Sequence, residues 1–299
     1  MINLREFSKS YNKFMAVSNL TLEIKNGEIM GFAGLNGAGK TTTIRAISGL
    51  IFPTGGSIEV DGHNIVNDKV MASMQIGLVP EFPNFELDAK PLQLLKYYAG
   101  FYGINSADAE KRAIELLKKL GIYQYADKKL KMYSQGMKKR FSIASALIGN
   151  PNNYLFDETL NGLDPQGVKD VRDLMLSLKK EGKCVFLSSH ILTELQNVAD
   201  RIAIIKQGRL IKILERDDLA NLGNTVIKIG IRNPDNNINS VLKGYGDVIF
   251  ENSFYFIRNA SKNLDTSEVN SELVKSGYRV FYISRESEAL EEYFLKAVN

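Results

Sequence analysis

The 299-residue sequence is poor in cysteine, in long apolar runs and in net charge, and each shortage excludes a class of protein. The single cysteine, Cys184, excludes an internal disulfide and fits a reducing compartment. No stretch approaches the roughly 18 apolar residues of a membrane span. The first residues contain no apolar core of signal-peptide length. We therefore expect a soluble cytoplasmic protein that reaches the inner face of the membrane only through a partner.

The charge balance is close to neutral. There are 38 Lys and Arg residues against 34 Asp and Glu, which gives a net charge of +4. This excess fits an anionic ligand or an anionic surface, but it is too small to indicate nucleic-acid binding. The hydrophobic fraction of 44% supplies enough material for a core, and the length favours about two domains.

Short apolar runs alternate with helical segments over the first part of the chain. The runs at 154–156, 184–187 and 202–205 are typical of buried strands in a parallel sheet. IEVDGHNI, at 58–65, predicts a hairpin. Apolar residues at helical spacing predict a helical insert at about 82–150. The fold class expected here is α/β.

The pattern changes after about residue 215. TVIKIGI, SFYFIR and the stretch ending in YRVFYISRES predict strands, and SEALEEYFLKAV predicts a terminal helix. The asparagine-rich IRNPDNNINS predicts a loop. We divide the chain into an α/β domain at 1–215 and a small α+β domain at 216–299.

GLNGAGKT, at 34–41, fits the pattern G-x-x-x-x-G-K-[ST] between a predicted strand and a predicted helix. Glycines leave backbone N–H groups open to a polyphosphate, and the helix N-terminus adds its dipole. Lys40 is predicted to reach the outer phosphates, and the Thr41 hydroxyl to bind Mg²⁺. The predicted phosphate-binding residues are Gly34, Asn36, Gly37, Ala38, Gly39, Lys40, Thr41 and Thr42.

An acidic pair follows the apolar run at 154–156. Asp157 stands where a carboxylate can hold the Mg²⁺ shell of a P-loop enzyme. Glu158 follows directly and is placed to orient an attacking water. The pair can also open an ordinary polar loop, but beside a P-loop we favour the catalytic interpretation.

These motifs and their order resemble the ATP-binding cassette (ABC) ATPases, and the resemblance covers about 1–215. YSQGM (133–137) stands in the place of the LSGGQ signature and NGLDP (161–165) in that of the D-loop. SSH (188–190) resembles the switch histidine segment, and VPE (79–81) stands in the Q-loop place. Tyr11 stands where the family stacks an aromatic ring on adenine.

The resemblance implies the P-loop NTPase fold of this family, with a parallel core sheet, an antiparallel β subdomain and a helical insert. It also implies ATP hydrolysis with Glu158 and His190 as catalytic residues. Two cassettes would enclose two ATP molecules head to tail. Each nucleotide would then meet residues of both chains.

The signature and the D-loop would supply the second half of each site. Ser134 is predicted to cap a helix, whose positive end suits a γ-phosphate. By resemblance, Ser134, Gln135 and Gly136 contact the ATP of the other subunit, and Asp164 crosses the interface. Together with Tyr11 and the P-loop residues, these complete the predicted ATP-binding set.

The sequence departs from the family pattern at three motifs. Glu81 replaces the Q-loop glutamine, and its carboxylate still suits Mg²⁺, so the predicted metal set is Thr41, Glu81 and Asp157. Gln135 and Met137 alter the rim of the signature. Thr159 stands where the family usually has proline. None of these changes removes a catalytic group, so we expect an active ATPase.

The SQGM signature, the VPE segment and the C-terminal extension resemble prokaryotic exporters of drugs, antibiotics, lipids or ions. We therefore expect a subunit that powers a separate membrane permease, as a homodimer or beside a second cassette. The helical insert is expected to carry the permease socket, and its aromatic residues are candidates: Phe82, Phe85, Tyr97, Tyr98, Phe101 and Tyr102. The C-terminal domain is expected to support the dimer, meet a regulator or only stabilise the chain.

Two alternatives stay open at this point. One is a soluble ABC ATPase that works on nucleic acid or ribosomes, although the chain has one cassette and no sustained heptads. The basic clusters at 128–131 and 138–140 are better explained as solvated faces. The other is a regulatory ATP binder that does not hydrolyse, which the presence of Glu158 and His190 disfavours. The cargo is not encoded in any residue singled out here.

Overall fold

The computed structural model describes residues 1–216, 218, 225–235, 237–251, 253–258 and 264–287. The chain divides into two compact units, 1–214 and 215–299. Among the described residues, no helix has both the length and the apolar character needed to cross a membrane.

The first unit contains two sheets and seven α-helices among its described residues. Its strands are β1 (Ile2–Tyr11), β2 (Phe14–Ile24), β3 (Ile29–Ala33), β4 (Gly55–Val60), β5 (His63–Asn64), β6 (Ile76–Val79), β7 (Asn153–Asp157), β8 (Cys184–Ser189), β9 (Arg201–Lys206) and β10 (Arg209–Leu214). Its helices are α1 (Lys40–Ile47), α2 (Lys69–Met74), α3 (Pro91–Phe101), α4 (Ser106–Lys119), α5 (Gln135–Leu147), α6 (Pro165–Lys180) and α7 (Leu192–Gln196).

The central sheet has the order β10-β9-β3-β8-β7-β6 and is parallel except for the β9–β10 pair. The predicted apolar runs lie in β7, β8 and β9, and β3, β7 and β8 are buried along their whole length. In register, Ala33 pairs with Ser189, and Asp157 pairs with Ser188. The segments that follow β3, β7 and β8 therefore meet at one edge of the sheet.

The second sheet of this unit is antiparallel, with the order β2-β1-β4-β5. The predicted hairpin is the β4–β5 pair, in which Val60 faces His63. One hydrophobic cluster joins both sheets and α1, and it includes Phe7, Phe32 and Phe186. This shared core fixes the position of the antiparallel sheet relative to the start of α1.

The helical insert between β6 and β7 consists of α3, α4 and α5, as predicted. Helix α4 buries Ala109, Ala113 and Leu117, which recur at the spacing of one helix face. Its N-cap, Asn105, accepts a hydrogen bond from the backbone N–H of Asp108 at 3.0 Å. Helix α5 begins directly after Ser134, so the signature segment lies at its N-terminus.

The second unit is an antiparallel sheet with helices, described here by itself. The elements are β11 (Thr225–Arg232), α8 (Ile238–Leu242), β12 (Asp247–Glu251), β13 (Phe254–Arg258), α9 (Thr266–Lys275) and β14 (Arg279–Ser287), with the strand order β12-β13-β11-β14. Ile227, Ile229 and Ile257 of the sheet pack with Val269 and Leu273 of α9.

The structure adds to the sequence-based expectation for this unit. The three predicted strands correspond to β11, β13 and β14, whereas β12 and α9 were not predicted. Helix α8 begins inside the asparagine-rich stretch that was predicted as a loop, so that part of the expectation was wrong. The predicted terminal helix begins at Ser287, which ends β14, and residues 288–298 lie outside the described residues.

Candidate functional site

The loop between β3 and α1 has a backbone that depends on glycine. Gly37 and Gly39 have positive φ angles of 80° and 110°. A Cβ at Gly39 would lie 2.7 Å from the Ala16 carbonyl oxygen, and one at Gly34 would lie 2.7 Å from that of Ile205. The loop therefore turns tightly against its neighbours and leads into the N-terminus of α1, which suits an anion.

Lys40, the first residue of α1, is buried and points back over the loop. Its Nζ donates to the Gly34 carbonyl oxygen at 2.7 Å. The same Nζ lies 3.2 Å from Oε1 of Glu158, and both side chains are about 95% buried. The P-loop cation and the predicted hydrolytic carboxylate thus form an ion pair.

Glu158 is held at its other oxygen by two polar side chains. Its Oε2 lies 2.9 Å from Nδ1 of His190, and Nδ2 of Asn161 donates to the same oxygen at 2.9 Å. Burial acts to raise the pKa of Glu158, but the His190 hydrogen bond and the charge of Lys40 outweigh it and lower the pKa below its ordinary value. The carboxylate is therefore ionised and oriented.

Asp157 lies next to this pair at the end of β7. Ser188 Oγ donates to its Oδ1 at 2.7 Å, and Thr41 Oγ1 is 3.4 Å from the same atom. Burial raises the pKa of Asp157, and the two hydroxyl groups oppose that shift. A hydroxyl and a carboxylate at this distance are oxygen ligands of the kind that Mg²⁺ prefers.

Most of the predicted site residues line one cavity of about 440 Å³. Three residues that the sequence argument did not single out, Phe14, Ala16 and Asn161, also line it. Phe14 pairs with Tyr11 across the β1–β2 turn, and Asn161 is the first residue of the NGLDP segment. Both residues could therefore have been predicted from the motifs beside them. The predicted residues that line the cavity are Tyr11, Asn36, Gly37, Gly39, Lys40, Thr41, Thr42, Glu81, Glu158 and His190.

The predicted signature residues and Asp164 of the D-loop do not line this cavity. Ser134 is exposed, and its Oγ accepts a hydrogen bond from Met137 N at 3.2 Å, which confirms that it caps α5. Asp164 is also exposed and caps α6 by accepting from Gly167 N at 3.1 Å. Gln135 and Gly136 form the first turn of α5. These residues lie at helix N-termini, whose exposed backbone N–H groups suit a phosphate.

Of the remaining predicted residues, Gly34, Ala38 and Asp157 do not line the cavity. Gly34 and Ala38 shape the loop backbone, and Asp157 contacts Thr41.

Glu81 lines the cavity, and its pKa is raised by burial first and then by the charges of Asp157 and Glu158. Within the described part of the chain, no group of three or more His, Cys, Asp and Glu side chains forms a metal site. Two carboxylates and one hydroxyl fit a Mg²⁺ ion that also binds phosphate oxygens.

Comparison with known proteins identifies the family. The sequence profile described as ABC transporter matches residues 17–161. The bacitracin transport ATP-binding protein BcrA of Bacillus licheniformis is 34% identical over 302 residues, which cover 100% of this chain and 97% of that protein. The chain belongs to the ABC transporter ATP-binding proteins. A second relative, the linearmycin resistance ATP-binding protein LnrL of Bacillus subtilis (strain 168), is 34% identical and covers 77% of this chain and 75% of its own.

Solved structures agree with this assignment of the cassette. An ATP-binding subunit of an ABC transporter superposes with a TM-score of 0.69 and 29% identity, covering 73% of this chain and 91% of its own. A dimeric cassette in a post-hydrolysis state, bound to ADP and Pi, gives 0.67 and 26%, covering 72% and 99%. The predicted family, its fold and its ATPase activity are confirmed. The chain is the ATPase subunit of an ABC transporter.

Proposed function

We propose that this ABC ATPase powers a separate permease that exports its cargo, and that two cassettes pair head to tail around ATP. The observation that carries the proposal is the arrangement of Glu158, which is held between Lys40 and His190 in the cavity. The export direction is supported by relatives named for bacitracin transport and linearmycin resistance.

The cavity provides the groups that γ-phosphate hydrolysis requires. The ionised Glu158 orients water for in-line attack, and His190 holds the carboxylate in place from the opposite side to Lys40. Lys40 stabilises the charge that spreads over the phosphoryl oxygens. Tyr11, 43% exposed at the cavity wall, offers its ring to adenine.

Three side chains would hold Mg²⁺ in this site. They are Thr41 and Asp157, whose oxygens are 3.4 Å apart, and Glu81 on the cavity wall. When bound, the ion neutralises phosphate charge in the ground state and in the transition state. Burial first, and then the charges of Asp157 and Glu158, raise the pKa of Glu81, and a cation among the three carboxylates would relieve their repulsion.

The signature half supports pairing because its residues do not line the cavity of their own chain. Ser134 and Asp164 are exposed caps of long helices, and Gly136 leaves the first turn of α5 open. A second chain that presents its nucleotide here would meet backbone N–H groups and a helix dipole. The alternative of a constitutive pair held by residues 216–299 is an outcome of the test below.

A second cavity supports docking of the permease on the helical insert. It measures about 430 Å³, and its lining includes Val70, Tyr98, Phe101 and Tyr102. Val70 is 72% and Phe101 64% exposed, so an apolar surface is open to solvent. Three of the six predicted socket aromatics are therefore in the groove. Phe85 instead is half-buried and packs edge-on against the buried Phe141, with the ring centroids 4.9 Å apart.

The test is the solution mass of Glu158→Gln, measured by light scattering with and without ATP and Mg²⁺. The amide keeps the shape but removes the charge that orients water, so ATP persists and we expect a monomer that becomes a dimer only with nucleotide. Glu115→Gln, on the exposed side of α4, is the matched control and should remain monomeric. A monomer in both conditions with ATP bound would contradict ATP-driven pairing, and a dimer in both would assign the pairing to another surface.

A further inference from the structure

Helix α5 carries a buried lysine two residues beyond the signature segment at 133–137. Lys139 is 7% exposed. Its Nζ donates to the Glu158 carbonyl oxygen at 3.2 Å and to the Asn161 carbonyl oxygen at 2.7 Å. The signature helix is therefore bonded, within one chain, to the loop that carries the hydrolytic carboxylate.

An ammonium group in this position is costly, so its partners matter. Burial lowers the pKa of Lys139, while the charges of Glu81, Glu158 and Glu194 act in the opposite direction. The two carbonyl groups belong to a turn outside regular secondary structure. The Glu158 carbonyl also accepts from Asn161 N at 3.3 Å within the turn, and Lys139 gives both carbonyl groups a donor from α5.

The turn forms a closed network around the carboxylate. Lys139 binds the main chain of Asn161, and the Asn161 side chain donates to Glu158 Oε2 at 2.9 Å. Glu158 itself has a φ of +45°, an unfavourable conformation for a residue with a side chain. External bonds are needed to hold such a backbone in one geometry, and Lys139 makes two of them.

We propose that Lys139 is a positioning residue that couples the signature helix α5 to the carboxylate of Glu158. The proposal rests on the proposed function, in which Glu158 orients water and the N-terminus of α5 meets the nucleotide of a second chain. A shift of α5 on that contact moves the Lys139 ammonium group, and with it the main chain that aims Glu158. Lys139 itself does not line the nucleotide cavity.

The first test compares three lysine variants in the full chain. Lys139→Met keeps the length of the side chain and removes its donors. We expect kcat to fall about tenfold to a hundredfold, because misplacement of a catalytic group by an ångström has that effect. The KM for ATP should stay within about twofold, since the cavity wall is unchanged. Lys139→Gln, which keeps a donor, should recover part of kcat, and Lys138→Met on the same helix should match the wild type.

The decisive test is a double-mutant cycle with Glu158→Gln, measured as single-turnover cleavage of ATP with Mg²⁺. If Lys139 acts through Glu158, adding Lys139→Met to Glu158→Gln produces no further loss. Equal losses in both backgrounds would overturn the proposal. So would an unchanged kcat in Lys139→Met while Glu158→Gln alone abolishes turnover. If instead Glu158→Gln retains wild-type turnover, it is the proposed role of Glu158 that fails.

Hydrogen–deuterium exchange covers the case in which Lys139→Met folds poorly. The comparison then uses Lys139→Gln, with thermal unfolding as the check on folding. We expect faster exchange in the peptide that spans 158–164, because the shorter glutamine side chain cannot bond both carbonyl groups as the lysine does, and unchanged exchange in the central strands. Unchanged exchange at 158–164 would overturn the coupling, whereas acceleration across the whole unit would show that the effect is global and not specific to this turn.

Discussion

The two halves of the proposed ATP site are built in different ways within one cassette. On the cavity side, Lys40 and Glu158 are buried and paired, and Glu158 is further held by His190 and Asn161. On the signature side, Ser134 and Asp164 are exposed, and each accepts a bond from the first turn of the helix it precedes. The first half is organised before any nucleotide arrives, and the second is presented outward.

This difference indicates which half each chain can complete alone. Buried, charged groups need partners within their own chain, because an unpaired charge in the interior is costly. Helix N-termini can remain exposed, since water satisfies their N–H groups until an anion replaces it. We therefore expect substitutions in the cavity half to abolish hydrolysis of the ATP bound by the same chain. Substitutions in the signature half should instead impair hydrolysis of the ATP bound by a second chain.

The largest effect should come from Lys40→Met. This change removes the cation from the phosphate site and leaves Glu158 buried without its ion pair. We expect ATP turnover to fall about a thousandfold, comparable to the loss of a main electrostatic group in other active sites. Steady-state release of phosphate measures it. If Lys40→Met retained more than a tenth of wild-type turnover, Lys40 would not be a main electrostatic group in ATP hydrolysis.

Mixing two inactive variants tests whether the halves come from different chains. Lys40→Met destroys the cavity half, and Ser134→Arg blocks the exposed signature half. In a 1:1 mixture we expect about a quarter of wild-type turnover, because half of the pairs are mixed and each of those has one intact site. Each variant assayed alone is the control. A mixture no more active than its components would contradict two independent sites shared between chains.

His190→Ala should have a smaller effect within the cavity half. It removes the hydrogen bond to Glu158 Oε2 but leaves the ion pair with Lys40 and the bond from Asn161. We expect kcat to fall about a hundredfold, within the usual range for one acid–base group. His63→Ala, at the only other histidine, is the matched control and should keep wild-type turnover. Equal losses in both variants would point to a structural rather than a catalytic role for His190.

The sequence indicated which residues of the cavity half lie close together, because they belong to local motifs. The loop at 34–41 follows the fully buried β3, and the pair Asp157–Glu158 stands at the end of the fully buried β7. Strand order then brings them together. The β4–β5 hairpin and the Ser134 cap were predicted for the same reason. Motifs of this kind carry their geometry in a few adjacent residues.

The residues that were missed depend on contacts between distant segments. Lys139 belongs to a basic cluster that the sequence suggested was solvated, yet it is buried against the turn at 158–161, which is about 20 positions away along the chain. In the second unit, α9 buries only Val269 and Leu273, so its apolar pattern is weak. Strand β12 is mostly exposed and lacks the burial pattern of a core strand. Neither signal is strong enough to identify an element without its packing partners.

The smallest expected effect separates two roles of Ser134. As the N-cap of α5, its Oγ accepts from Met137 N at 3.2 Å. Ser134→Ala should therefore lower the free energy of unfolding by about 1 kcal/mol, measured by urea denaturation. Ser134→Asn caps almost as well and should restore that stability. If Ser134 also meets the nucleotide of a second chain, both variants should weaken dimer formation in the Glu158→Gln background, because neither presents a hydroxyl at the same position. A loss of pairing that follows stability alone, absent in Ser134→Asn, would reduce Ser134 to a cap and weaken the division between the two halves.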